Sequence, residues 1–79
     1  MDQNRQVAQR VLDLLEPRLG RADYANEAAS IRLEWCRPES EVVALVHGGE
    51  VTLTVCDYVH CERQHFAERF EEMLDMFED

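Results

Sequence analysis

Six carboxylates, Glu68, Glu71, Glu72, Asp75, Glu78 and Asp79, lie within the last twelve residues of this 79-residue chain. On a helix they project away from Val59, Phe66, Phe70, Met73, Leu74 and Phe77, which fall within about a third of the wheel. The acids then line roughly 16 Å of helix. That is a charge about every 3 Å, against about 1.7 Å along duplex DNA. Such a face is locally unfavourable. Glu68–Glu72, Glu71–Asp75 and Asp75–Asp79 are like-charge i,i+4 pairs, each costing about 0.2–0.5 kcal/mol, and acids in a last turn oppose the helix dipole. A face kept only for solubility would usually mix in bases. The chemistry on offer is electrostatic capture of a basic surface by a diluted imitation of a phosphate track.

Other reactive residues are sparse. Cys56, His60, Cys61 and His65 are all metal-competent types, but structural zinc sites draw two ligands from each of two separated turns, and no second pair follows. No metal or other cofactor is therefore assigned. Three cysteines are an odd number for a closed disulfide framework, and without an export signal reduced thiols are expected. Cys36 and Cys56, on strands flanking a central one, would be about 10 Å apart, beyond disulfide reach. Two serines, Ser30 and Ser40, fall before a strand and in a turn. No glycine-rich phosphate loop and no Cys-His pair with an orienting third group is evident. No catalytic residue is assigned, and the chain reads as a binding protein.

The net charge is −9, from seventeen acids and eight bases, all eight of them arginine. A direct role on nucleic acid or an anionic membrane would need a basic footprint. A basic protein partner fits better, with electrostatic steering of the encounter. Hydrophobic content of 46% indicates a globular chain, and 1–79 reads as one domain. No apolar run is long enough to span a membrane, no signal-peptide core leads the chain, and a cytoplasmic location is expected.

Helical periodicity runs from about Asn4 to Leu19, with Val7, Ala8, Val11, Leu12, Leu14, Leu15 and Leu19 on one face. Pro17 falls on the solvent side, where a kink or early end is expected, and Gly20 is a C-terminal stop. Residues 21–28 read as a crossing loop. Three strands follow, separated by Arg37-Pro38-Glu39-Ser40 and by Gly48-Gly49, a two-residue hairpin signal. That hairpin sets Val46 against Val51, Ala44 against Leu53 and Val42 against Val55. A first loop over Pro38–Glu41 sets Trp35 against Ala44 and Leu33 against Val46. Both put Ile31, Leu33, Trp35, Val42, Ala44, Val46, Val51, Leu53 and Val55 on one face. A closing helix is expected with Asp57 as N-cap.

The predicted fold is thus α+β in the order α-β-β-β-α: a three-stranded antiparallel meander with two helices packed on one face. The other face stays open and carries Val43 and Leu45, an alternative contact surface for a partner or a homodimer.

The predicted order resembles that of double-stranded-RNA-binding domains, but those need a basic start to the second helix, and Cys61-Glu62-Arg63-Gln64-His65 lacks it. By size, acidity and solitary architecture the chain resembles small phage-encoded inhibitors of bacterial defence, the anti-CRISPR proteins. The residues that carry the resemblance are the final carboxylates with Glu39, Glu41 and Glu50 at the strand ends. It implies occlusion of a DNA- or guide-binding groove on a CRISPR effector. Alternatives are an immunity protein, an antitoxin or a secretion chaperone masking a basic client, or a dimeric structural module using the open sheet face.

Overall fold

A computed structural model describes residues 3–66 and Glu72. One helix, α1 (Gln3–Leu19), precedes five strands: β1 (Asp23–Asn26), β2 (Ser30–Cys36), β3 (Ser40–His47), β4 (Glu50–Asp57) and β5 (Cys61–Phe66). All pair antiparallel with their chain neighbours, giving one sheet in the order β1-β2-β3-β4-β5. No helix among the described residues is long and apolar enough to cross a membrane.

Helix α1 buries Val7, Ala8, Val11 and Leu15, with Leu12, Leu14 and Leu19 packed at their margin. That is the stripe the 3.6-residue period demands. Pro17 is exposed in the last turn, and Gly20, at φ +90°, ends the helix with its N–H on the Glu16 carbonyl at 2.9 Å. Arg18 places a cation at the negative helix end. Against this stripe lie Ile31, Leu33, Trp35, Val42, Ala44, Val46, Val51 and Leu53, all buried, with Val55 half-buried beside them. Burying each such aliphatic chain is worth roughly 1.5–3 kcal/mol.

Polar clips fix the helix at both ends of the sheet. The Asn4 side chain donates to the Ala29 carbonyl at 3.1 Å and accepts from the Gly49 N–H at 3.3 Å, so it holds the β1–β2 and β3–β4 turns together. At the other end the Trp35 indole N–H donates to the Gly20 carbonyl at 2.9 Å. Gly48 and Gly49, at φ +59° and +80°, make the hairpin turn the sequence predicts.

Three expectations are corrected. The sheet has five strands, not three, and the described residues hold one helix. Residues 21–28 are not a plain loop: Asp23–Asn26 pair with Ile31–Glu34 as an edge strand, and the Glu27 N–H donates to the Ser30 carbonyl at 2.9 Å to close the turn. All four β1 residues are exposed, so no burial pattern marks them. The helix expected after Asp57 does not start there. The Asp57 carboxylate does accept from the Val59 and His60 N–H groups, at 2.9 and 2.7 Å, as an N-cap would. It instead shapes a two-residue turn, and Cys61–Phe66 return as β5 along the free edge of β4. Val59, expected on the apolar face of that helix, is 93% exposed at the turn tip.

The β2–β3 register also differs from expectation. Arg37 donates to the Ser40 carbonyl, leaving only Pro38-Glu39 in the loop, so Trp35 faces Val42 and Leu33 faces Ala44. The shift is two residues, which preserves which side chains face the core. The β3–β4 register is as predicted, with Val42 opposite Val55, Ala44 opposite Leu53 and Val46 opposite Val51.

Candidate functional site

Of the six C-terminal carboxylates, Glu72 is exposed; Glu68, Glu71, Asp75, Glu78 and Asp79 lie outside the described residues. The described chain places acids elsewhere. The β2–β3 and β4–β5 turns and the start of β1 share one end of the sheet, which brings together Asp23, Glu34, Glu39, Glu41, Asp57 and Glu62. The bases at this end are Arg21, Arg37, His60 (Nε2 4.0 Å from Glu62) and Arg63, in the same row as Asp23 and Glu34; Arg32 reaches in from the next row to Glu34 at 3.0 Å. The Tyr58 hydroxyl donates to the Pro38 carbonyl at 2.9 Å and ties the two turns together. Of the strand-end acids singled out in the sequence, Glu39 and Glu41 belong here, whereas Glu50 lies at the opposite end.

Two groups at the acidic end have shifted ionisation. Asp57 is held below the ordinary aspartate range by the backbone N–H groups of Val59 and His60. The Cys36 thiol, exposed, is pushed up by its hydrogen bond to Glu34 and then by the charges of Glu34, Glu41 and Asp23. A raised thiol pKa means less thiolate and a poorer nucleophile at neutral pH. Asp23, Glu34 and Cys36 offer ligand atoms within 4.8 Å of one another, but exposed acids commonly cluster without an ion.

Cys56 and Cys61 are joined in a disulfide across β4 and β5, with Cα atoms 4.1 Å apart. This corrects the expectation of three reduced thiols. In this disulfide Cys56 and Cys61 do not offer thiolates as ligands. A signal was available in the sequence: Cys56 and Cys61 stand equidistant from Tyr58-Val59 and become direct cross-strand partners once those two residues form a turn.

The sheet face away from α1 is bare of any described element. Two complete rows cross it: Asp23, Glu34, Val43, Thr54 and Arg63, and beside them Ala25, Arg32, Leu45, Thr52 and His65. Val43 is half-buried and Leu45 is 38% exposed. They form the floor of an open concavity of about 650 Å³, with Arg32 and Arg63 on opposite sides. Thus Val43 and Leu45 sit together on the open face, as the sequence predicts. Arg32 pairs with Glu34 at 3.0 Å. Sequence periodicity missed a further feature, because it placed His65 on a helix. Thr52 Oγ1 lies 3.1 Å from His65 Nδ1, and His65 Nε2 lies 3.2 Å from Glu50 Oε1. The order hydroxyl, imidazole, carboxylate has the residue types of a nucleophile chain. His65 and Glu50 are about half exposed, at 58% and 46%, so water competes for both. These two contacts brace β4 against β5.

Comparison with protein-family models, curated proteins and solved structures returned no match to this chain.

Proposed function

We propose that this protein is a non-enzymatic binding protein that masks a basic, nucleic-acid-binding protein partner. One observation carries the proposal: no described carboxylate is buried, and six of them gather at one end of the sheet among Arg21, Arg37, Arg63 and His60, with Arg32 paired to Glu34. Carboxylates left in water on paired strand ends and on two hydrogen-bonded turns keep their charge over one end of the sheet. Such an array speeds association with a basic surface and sets its orientation. The C-terminal acids add to the same overall charge of −9. A bacterial-defence effector as the masked partner, in the anti-CRISPR manner, is a finer part of the same proposal and rests on size and acidity; the Cys56–Cys61 disulfide weighs against the cytoplasmic location expected from the sequence.

The test is capture of partners from a bacterial lysate at low and high salt, followed by affinity measurements on the recovered protein. Binding should weaken at least about tenfold between 50 and 300 mM salt, as screening shortens the reach of exposed charges. It should weaken again in Glu39→Gln/Glu41→Gln/Glu62→Gln and in Glu71→Gln/Glu72→Gln/Asp75→Asn. Affinity indifferent to salt and to both sets of substitutions would sink the proposal.

A further inference from the structure

We propose that the bare sheet face is the interface of a homodimer whose two-fold axis runs along β3. The row Asp23–Glu34–Val43–Thr54–Arg63 is acidic on the β1–β2 side, apolar at its centre and basic on β5. A two-fold along the middle strand lays each row over its own mirror order. Asp23 of one protomer then meets Arg63 of the other, twice per dimer, Glu34 meets Thr54, and Val43 meets Val43. In the second row Leu45 meets Leu45 and Arg32 meets Thr52. In these two rows the face is complementary to itself in charge, as an isologous contact requires; the same axis sets Glu41 over Glu41 at the acidic edge of the contact.

Among the described residues the charges of Asp23 and Arg63 lack partners. Arg63 has no ion pair among the described residues, while Asp23 stands beside Glu34 and has no cation paired with it there. Dimerisation brings each to its opposite and covers Leu45, the large apolar side chain left exposed in the middle of the face. The area suffices. Five strands about 4.8 Å apart, rising about 3.3 Å per residue, make a face of roughly 24 by 20 Å. Two such faces bury on the order of 1,000 Å², where specific interfaces begin. Sheets stack face to face at about 10 Å with strands within about 30° of one another, a geometry that the short Thr52 and Thr54 side chains permit.

The experiment is sedimentation equilibrium on the full chain across a concentration series. Wild type should approach twice 9.2 kDa. Leu45→Glu should raise the dissociation constant about a hundredfold or more, by putting charge at the interface centre. Because Leu45 is outside the core, its far-ultraviolet circular dichroism should be unchanged. Asp23→Arg and Arg63→Asp, each alone, should weaken the dimer about tenfold through like-charge contacts. An equimolar mixture of these two variants restores both ion pairs in the heterodimer and should associate as tightly as wild type. A wild-type chain that stays monomeric at every concentration overturns the proposal, and leaves the face to the chain's own residues 67–79 or to another partner. A dimer that survives Leu45→Glu, or a mixture that fails to recover, overturns it as well.

Discussion

On the face under α1, Leu33, Ala44 and Leu53 line up across β2, β3 and β4 with no exposed area; one residue further along the same strands, Arg32, Leu45 and Thr52 line up on the other face and all keep contact with water. The strands, turns and backbone ladder are shared, so the difference lies only in what stands opposite. Where a helix is present, the side chains are aliphatic, with one tryptophan, and fit for dry packing. On the face with no described element over it, they are a mixture of arginine, threonine, histidine, acid and the neighbouring aliphatics Val43 and Leu45. Stability resides on the first face and the capacity for recognition on the second, because a residue that must be buried to fold cannot also be offered to a partner.

Large truncations read this contrast most strongly. Leu53→Ala should cost about 2–5 kcal/mol in urea denaturation, the range for deleting a buried leucine side chain. Leu45→Ala, measured on the monomer, should stay within about 0.5 kcal/mol. Equal losses at the two positions would erase the distinction between the faces.

An intermediate effect should follow from the disulfide. Cys56→Ser/Cys61→Ser opens a short covalent loop and should cost about 2 kcal/mol. Its mark should be local: faster amide exchange in β5 and in the β4–β5 turn, with α1 and the centre of β2 and β3 unchanged. Acceleration spread evenly over the sheet would show that the outer strand and the helix-covered core are one cooperative unit.

The smallest effect is at Asp57, whose carboxyl ionises below its ordinary value near 3.9 because two turn N–H groups donate to it. A depressed folded-state pKa makes its contribution full above about pH 4 and progressively lost as pH falls through the depressed value. The amide resonances of Val59 and His60 should move together in that acid window, and Asp57→Ala should abolish the movement while leaving the covered face intact.

The parts of the fold visible in the sequence are those that α1 and the glycine turn impose. Apolar alternation in β2, β3 and β4 and Gly48-Gly49 specify the faces and one register. The other register slipped by two because Pro38-Glu39 closes a tighter turn than a four-residue loop, and a slip of two leaves no trace in the apolar pattern. Strands β1 and β5 escaped for a different reason. Asp23-Tyr24-Ala25-Asn26 is exposed throughout, and Cys61–His65 are exposed as well; both segments are strands because a neighbouring edge accepts their hydrogen bonds. Asp57 sends the same signal, a carboxylate on the N–H groups two and three residues ahead, whether a helix or a turn follows. The rows of the open face, and with them the opposition of Asp23 and Arg63, depend on these two outer strands and so could not be assembled from periodicity.

The chain contains a single tryptophan, and its indole is buried while bonded to the residue that ends α1. Its emission is consequently a built-in optical gauge of one event, the separation of the helix from the sheet. A red shift would report loss of the covered face, whereas changes confined to the outer strands or the bare face would be silent. The two faces can thus be followed separately in one cuvette, without any label, by pairing this colour with a measure of molecular mass.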